Sequence, residues 1–154
     1  MRFKMRSTEG WSFYHAHDVT SRGVTHGFFT ADTPQVPFTA EEKARFCRAF
    51  SVADAILLYQ EHGDRVHVIQ NGERPRAGDA LIVMEKGVAA LIKTADCLPI
   101  VVADPECPMA AVIHAGWRGT AKRITEKTVR RMGELGARPD RMVALFGPAI
   151  GPCC

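Results

Sequence analysis

Three short polar segments each carry a side chain that can do chemistry, and each adjoins an apolar run typical of a strand. They are Gln60-Glu61-His62-Gly63-Asp64, Thr94-Ala95-Asp96-Cys97 and His114-Ala115-Gly116-Trp117-Arg118-Gly119-Thr120. The ends of strands are where sites collect in layered α/β structures. One thiolate and two imidazoles would form a zinc site of the catalytic type, with three protein ligands and an open fourth position. His62, Cys97 and His114 are therefore candidate metal ligands.

Each of the three residues also has a purely structural explanation. The spacings of 35 and 17 residues between them are weak evidence for a metal site by themselves. His62 can cap a turn, Cys97 can be an ordinary core residue, and His114 can be a hydrogen-bonded core histidine. The pattern alone leaves both interpretations open.

The segment that begins at His114 also has features of an anion site. Gly116 and Gly119 allow close approach of the backbone, and the amides that open the following helix can hold an anion. Further along that helix, Glu126 and Glu134 stand among basic side chains, which favours a solvated face over a nucleic-acid surface. The basic residues are Lys122, Arg123, Lys127, Arg130 and Arg131.

The elements that must position these segments are mainly short strands. The helical spacing after the capping box of Thr39 and Glu42 predicts a helix from about 40 to 50, with Cys47 in the core. A second helix is expected over 119–135, with Ala121, Ile124, Thr128, Met132 and Leu135 on one side, and Gly136 and Pro139 ending it. Apolar runs predict strands at 26–30, 55–59, 66–69, 79–84, 88–93, 98–102, 109–114 and 142–146, some buried on both faces. Pro34 and Pro37 indicate a loop.

Length and composition narrow the class of protein. A chain of 154 residues is expected to form one domain, and its 46% hydrophobic and 24% charged content exclude disorder and coiled coil. No apolar run approaches the roughly 18 residues that span a membrane, and no secretory signal is recognisable. The net charge of +3 is too mild to demand a nucleic-acid partner. The absence of a membrane-spanning run and of a secretory signal predicts a soluble, cytoplasmic protein. Five cysteines, an odd number without a CxxC pair, predict reduced thiols, with Cys97 not in a disulfide.

The motifs strongly resemble those of the YfiH/PgeF family. Its members have been labelled laccase-domain or polyphenol oxidoreductases and are better described as purine nucleoside phosphorylases with adenosine deaminase activity. The resemblance covers the chain from about His26 to the end, in family order, and the second and third of the segments named at the outset are together highly specific. The matching segments are Gln60–Gly63, Gly78–Leu81, Thr94–Pro99, His114–Thr120 and Gly147–Cys154.

The resemblance implies a layered α/β sandwich with mixed β-sheets and a Zn²⁺ cofactor held by His62, Cys97 and His114. Purine nucleoside and phosphate would be the substrates. Deamination would use water activated at the zinc to attack C6 of the purine, with Asp96 or Glu61 moving protons. Arg118 and the amides of Gly116 to Thr120 would stabilise phosphate during phosphorolysis.

Two positions depart from the family pattern. Glu61 stands where an apolar residue is usual, which adds a carboxylate beside the proposed metal. Ala31 stands where an Arg is frequent, which would remove a substrate contact. Family members also continue beyond Cys154, so we expect residues 1–154 to lack a C-terminal part that contributes to the active-site cleft.

Other functions compete with the zinc enzyme. One is a Cys-His hydrolase with Cys97 as nucleophile and His114 as base, and another is an inactive fragment that acts as a binding module. A copper-dependent polyphenol oxidase is less expected, because multicopper oxidases need more histidine ligands than the six scattered ones here provide. The preferred purine base and the oligomeric state are not determined by the sequence.

Overall fold

The computed structural model describes residues 2–20, 22–31, 33 and 39–151. Its helices are α1 (His17–Thr20), α2 (Ala40–Ala49), α3 (Trp117–Ala121) and α4 (Ile124–Glu134). Its strands are β1 (Phe3–Thr8), β2 (Trp11–Ala16), β3 (Phe28–Phe29), β4 (Asp54–Leu57), β5 (Val66–Ile69), β6 (Ala80–Val83), β7 (Val88–Leu91), β8 (Leu98–Asp104), β9 (Met109–Ala115) and β10 (Val143–Phe146). The expected loop at Pro34 and Pro37 and the pair Cys153-Cys154 lie outside the described residues.

A five-stranded mixed sheet, in the order β10-β8-β9-β6-β5, forms the centre of the structure. β5 and β6 pair in parallel, and the other neighbours in this sheet are antiparallel. β8 is buried from Pro99 to Asp104, as its nearly unbroken apolar sequence requires. Because β8 and β9 run in opposite directions, the beginning of β8 lies beside the end of β9, and Pro99 is paired with His114.

Layers cover both faces of this sheet. On one face, Ile124 and Met132 of α4 pack against a cluster that includes Ile82, Ile100 and Ile113. The opposite face is covered by two smaller sheets, the antiparallel β1-β2-β3 and the parallel β4-β7. Their apolar side chains meet the central sheet in two further clusters, which contain Phe28 with Val101 and Ile56 with Leu81. The predicted layered α/β sandwich with mixed sheets is confirmed.

The helix predicted over 40–50 is confirmed as α2. Thr39 caps it: the Glu42 amide donates to the Thr39 hydroxyl at 3.1 Å, and the Thr39 amide donates to the Glu42 carboxylate at 2.7 Å. Cys47 packs beside the buried aromatic cluster of Trp11 and Phe46, as expected for a core position. The predicted strands are present, most with bounds shifted by one or two residues at either end.

The continuous helix predicted over 119–135 is wrong. Helical structure begins earlier, at Trp117, and breaks after Ala121, where Arg123 adopts a left-handed conformation with φ of 64°. Ile124, Thr128 and Met132 are buried as predicted, but Ala121 lies before the break and is exposed. The two short helices are therefore separate elements: α3 buries Gly119, whereas α4 buries Ile124, Thr128 and Met132.

A cavity of about 760 Å³ lies between the central sheet and the smaller sheets. Its lining is mostly apolar and includes Phe29, Phe50, Val88, Val101 and Val112, but none of the three candidate ligands. In the described part of the chain, no helix is both long enough and apolar enough to cross a membrane.

Candidate metal centre

His62, Cys97 and His114 come together at one end of the central sheet. Their ligand atoms all lie within 4.8 Å of one another, and this is the single group of at least three such side chains among the described residues. His62 is exposed, Cys97 is half-buried and His114 is buried. The structure thus brings together the three residues that the sequence singles out.

The pairing of β8 with β9 explains how two of these residues meet. Leu98 is paired with Ala115, so Cys97, the residue before β8, lies beside His114 near the end of β9. The apolar run that the Cys97 segment directly adjoins is β8, so Cys97 immediately precedes a strand and lies six residues after the end of β7 at Leu91. His62 comes from the loop after β4, and its ring packs edge-on against that of His114 with 4.8 Å between centroids.

The carboxylate of Asp79, the residue before β6, joins two of the ligand segments. The Nδ1 atom of His114 is 2.8 Å from Oδ1 of Asp79. The backbone amide of His62 donates to the same oxygen at 3.0 Å, and the amides of Gly63 and Glu61 donate to Oδ2 at 2.8 and 3.3 Å. Asp79 is 0% exposed, so water does not compete for these four hydrogen bonds.

The hydrogen bonds determine the charge state of Asp79. Burial by itself would raise the pKa of this carboxyl group. The hydrogen bonds from His114, Gly63 and Glu61 outweigh that effect, and the pKa of Asp79 is lowered below its ordinary value. Asp79 is therefore a carboxylate at neutral pH, which accepts hydrogen bonds and donates none.

His62 has a backbone conformation that is uncommon for a residue with a side chain. Its φ is 55°, in the left-handed region that Gly adopts freely and that few other residues adopt, Asn, Asp and His more often than the rest. Such conformations persist where the surrounding structure imposes them, and they cluster at functional sites. The three amides that Asp79 binds are those of this turn, so one buried carboxylate fixes the backbone from which the His62 imidazole projects.

Gly116 lies against all three candidate ligands. A Cβ atom at this position would be 3.1 Å from Sγ of Cys97, 3.5 Å from Cδ2 of His62 and 3.7 Å from Cε1 of His114. The φ of Gly116 is −70°, which any residue can adopt. A side chain at position 116 would crowd the candidate ligands, so glycine is needed there for space. The backbone conformation by itself does not require glycine.

The donor set and the space fit a transition-metal ion such as zinc. Imidazole nitrogens and a thiolate are ligands that zinc prefers, and His114 has the carboxylate partner that metal-bound histidines usually have. Cys97 is a free cysteine, as expected for a thiol that is available as a ligand. Three donors from the protein leave a fourth position for a substrate or water.

The other predicted site residues lie next to this centre in sequence but do not contact it through hydrogen bonds. Within the described part of the chain, the exposed carboxylate of Asp96 forms no hydrogen bond or ion pair, while its carbonyl oxygen accepts from the Ile150 amide at 3.0 Å. The carboxylate of Glu61 forms an ion pair with Arg65 at 3.5 Å. Arg118 is exposed, and its guanidinium carbon lies 5.1 Å from the centroid of the Trp117 ring.

The basic face of α4 is largely paired with carboxylates. Arg123 bonds to Glu126 at 2.6 Å, Arg131 to Glu134 at 2.9 Å, and Lys127 forms an ion pair with Asp64. These pairs offset much of the positive charge on this surface, in agreement with a solvated face.

The sequence pattern does not identify Asp79 as a site residue. The signal it offers is a carboxylate at the start of an apolar run, since Asp is almost never fully buried unless it is paired. The Gly78-Asp79-Ala80-Leu81 motif supports the resemblance, but the pattern alone does not show which donors Asp79 binds.

The comparisons with known proteins identify the family. Residues 19–154 match the family model described as multi-copper polyphenol oxidoreductase laccase. A purine nucleoside phosphorylase from Deinococcus radiodurans is 40% identical over 147 residues, which are 88% of this chain and 56% of the relative. Adenosine deaminase RL5, from an unknown prokaryotic organism, is 40% identical over 113 residues, covering 66% of this chain and 42% of the relative.

Two solved structures are similar to this chain in both fold and sequence. The hypothetical protein YfiH from Bacillus licheniformis is 28% identical with a TM-score of 0.68, and the match covers 74% of this chain and 48% of that one. YlmD from Geobacillus stearothermophilus is 29% identical with a TM-score of 0.65, over 73% of this chain and 47% of that one. The chain spans about half the length of the curated relatives it matches. From its motifs, its fold and the match over most of its length, the chain belongs to the multi-copper polyphenol oxidoreductase laccase family, the family of YfiH.

Proposed function

We propose that this chain carries the metal site of a zinc-dependent purine nucleoside phosphorylase that also deaminates adenosine. The observation that carries the proposal is the convergence of His62, Cys97 and His114, whose ligand atoms lie within 4.8 Å of one another. The names of the relatives, phosphorylases and one adenosine deaminase, supply the reaction classes. The free cysteines of the described residues suit a reducing compartment such as the cytoplasm.

Zinc held by His62, Cys97 and His114 would supply a Lewis acid and would lower the pKa of a bound water to about 7. The choice of zinc over copper rests on the number of donors. The described residues contain one group of three metal-binding side chains, whereas a multicopper oxidase requires several copper centres.

For phosphorolysis, the substrates are a purine nucleoside and phosphate. A phosphate oxygen bonds to C1′ of the ribose while the bond from C1′ to the purine nitrogen breaks, which gives the free base and ribose 1-phosphate. Arg118 is suited to hold the phosphate, because its side chain makes no hydrogen bond or ion pair within the described residues and remains exposed above Trp117. Bidentate hydrogen bonds from its guanidinium would orient the phosphate beside the metal site.

For deamination, a water oxygen bonds to C6 of adenosine and the bond from C6 to the amino nitrogen breaks. The amino group leaves as ammonia after it gains a proton, and the attacking water must lose one. Asp96 is suited to move this proton, because its carboxylate is exposed, unpaired among the described residues and adjacent in sequence to Cys97. Glu61 is less available, since Arg65 already neutralises it.

A second candidate function rests on a specific observation. Cys97, His114 and Asp79 have the residue types of a nucleophile, a base and a carboxylate that orients the base, as in a cysteine hydrolase. His62 argues against this function, because a hydrolase needs no second imidazole within 4.8 Å of the thiol and the first imidazole. The zinc site uses all four residues.

Metal analysis of single variants separates the two candidates. The protein as purified is expected to contain one zinc per chain by elemental mass spectrometry, and His62→Ala, Cys97→Ala and His114→Ala are each expected to lose it. The control variants are His17→Ala, which changes an exposed histidine, and Cys107→Ala, which changes a free cysteine packed against the core; both should retain zinc. Under the hydrolase function, Cys97→Ala would instead retain whatever metal the protein holds and would lose a trappable acyl-enzyme.

A further inference from the structure

We infer that Asp79 is the positioning residue of the metal site: it sets the tautomer of His114 and fixes the turn of His62, so that both imidazoles point at Cys97 before any metal binds. The inference rests on the metal site of the proposed function. It does not depend on which metal is bound or which reaction follows.

The tautomer follows from counting donors. A carboxylate offers about four lone-pair sites and no proton. Asp79 accepts from three backbone amides, and those groups can only donate. The fourth contact, to Nδ1 of His114 at 2.8 Å, must therefore also be a donated N–H bond. With its proton on Nδ1, a neutral His114 keeps the lone pair of Nε2 free for a metal.

The position of His62, the second candidate ligand, also depends on the Asp79 carboxylate, because that carboxylate binds the backbone amides of the His62 turn. Three consecutive amides, from Glu61 to Gly63, converge on Asp79, and the residue at their centre is His62 with its φ of 55°. Without an acceptor at this place, the three N–H groups would have no reason to point inward, and the turn could relax to a more populated conformation. The direction of the His62 imidazole would then change with it.

The backbone of Asp79 has a separate structural role. Its carbonyl oxygen accepts the His114 amide at 2.8 Å, and its own amide donates to the Arg65 carbonyl at 3.1 Å. These bonds join β9, β6 and the segment before β5, and they do not involve the side chain. A substitution that keeps the size of the side chain therefore separates positioning from strand pairing.

Asp79→Asn is such a substitution. The amide has the shape of the carboxylate but replaces one acceptor oxygen with an NH₂ group that donates. With its oxygen in the place of Oδ2, towards the amides of Glu61 and Gly63, its nitrogen takes the place of Oδ1 and faces both Nδ1 of His114 and the amide of His62. The His62 amide then loses its acceptor, and the imidazole of His114 must accept through Nδ1 and carry its proton on Nε2. The lone pair that the metal needs is lost in that tautomer.

The experiment has two readouts. Zinc affinity, measured by competition with a chromophoric chelator, is expected to fall about 10- to 100-fold in Asp79→Asn. In the metal-free proteins, long-range ¹H–¹⁵N NMR of the His114 ring is expected to show the Nδ1–H tautomer for the unsubstituted chain and the Nε2–H tautomer for Asp79→Asn. The matched control is Asp104→Asn, a second carboxylate that is 0% exposed and accepts two backbone amides at the other end of β8. It should leave zinc affinity and the His114 tautomer unchanged even if it lowers stability.

Two results would overturn the inference. One is an unsubstituted, metal-free protein whose His114 carries its proton on Nε2, a measurement that does not require the variant to fold. The other is a folded Asp79→Asn variant with zinc affinity within twofold of the original. Failure of the proposed function looks different, because a protein that binds no zinc can still show the Nδ1–H tautomer of His114.

Discussion

Gly119 packs so closely against Gly63 that a Cβ atom at position 119 would be only 2.6 Å from the carbonyl oxygen of Gly63. This contact holds α3, the helix that follows His114 in the chain, against the turn that carries His62. Gly119 is the buried residue of α3, whereas Ile124 and Met132 of α4 pack against the central sheet. The close contact between two glycines therefore contributes to the relative placement of the two segments that carry the candidate ligands His62 and His114.

The first prediction concerns this contact. Alanine is normally favoured over glycine within a helix by about 0.5–1 kcal/mol. At position 119 we expect the opposite sign, because the added methyl group would overlap with backbone that cannot rotate away. Gly119→Ala should lower the free energy of unfolding by about 1–3 kcal/mol, measured by urea denaturation. Zinc affinity should also fall as the His62 turn is displaced.

Gly133 is the matched control for this substitution. It lies in α4, and a Cβ atom there would meet nothing within 4 Å. Gly133→Ala should raise the free energy of unfolding by up to about 1 kcal/mol. Equal effects of the two substitutions would show that the contact between Gly119 and Gly63 is unimportant.

The second prediction concerns Gly116. Its ordinary φ means that alanine adds no backbone strain, while the new methyl group would be 3.1 Å from the Cys97 sulfur. We expect Gly116→Ala to weaken zinc binding about tenfold or more and to change the unfolding midpoint of the metal-free protein little. Titration calorimetry and denaturation of the same preparations measure the two quantities. A variant that loses stability but keeps its zinc affinity would contradict the role given to Gly116.

The third prediction concerns Arg118. Because this guanidinium stacks on Trp117 and does not contact the three candidate ligands, Arg118→Ala should retain zinc. It should raise the KM for phosphate and slow phosphorolysis far more than deamination, since only phosphorolysis uses phosphate. Steady-state assays with and without phosphate make the comparison. Arg123→Ala, which removes an exposed partner of Glu126, is the control and should change neither reaction. Equal losses in both reactions of Arg118→Ala would assign Arg118 a general role in the site.

The fourth prediction is a pH dependence of stability at Asp104. The Arg138 amide, with the Glu106 amide and the Arg141 guanidinium, outweighs the effect of burial and lowers the pKa of this carboxyl group. A carboxyl group with a lower pKa in the folded state stabilises the protein above its unfolded pKa of about 3.9. That contribution disappears as the pH falls through the folded pKa.

Asp104→Asn should therefore lower the free energy of unfolding at pH 7. The difference from the original protein should begin to shrink below about pH 4, where the unfolded carboxyl group becomes protonated, and should vanish once the pH is below the lowered folded pKa. Urea denaturation across this range tests the sign. Asp140→Asn, which breaks an exposed ion pair with Arg138, should have a smaller effect that salt removes. A pH-independent difference at Asp104 would mean that shape, and not charge, explains its effect.

Local signals predicted some elements well. The beginning of α2 can be predicted from the four residues 39–42, because Thr39 and Glu42 cap each other's backbone amides. Within the central sheet, β6, β8 and β9 are recognisable from sequence because they are apolar runs whose residues are mostly buried on both faces. The meeting of His62, Cys97 and His114 was anticipated from strand ends and from the family motifs, since those segments adjoin strands that pair in one sheet.

Other features depend on contacts between distant residues. The break between α3 and α4 falls at Lys122 and Arg123, which have no helix-breaking character, and the tight packing of Gly119 against Gly63 has no local signal. The role of Asp79 needs the partners at 61–63 and at 114, which only the folded sheet supplies. The hairpin of β1 and β2 alternates polar and aromatic residues too irregularly for its register to be predicted.

The assembly of the central sheet, including the pairing of β8 with β9, also affects the order of events during folding. His62 and Cys97 are 35 residues apart in the chain, and they meet only after the strands between and beyond them have found their neighbours. Contacts of such sequence separation form slowly, because loop closure must precede them. A nascent or refolding chain can form α2 or the hairpin of β1 and β2 early, but neither contains a ligand. Binding of a metal by all three candidate ligands would therefore be a late event in folding, and its rate should follow assembly of the central sheet.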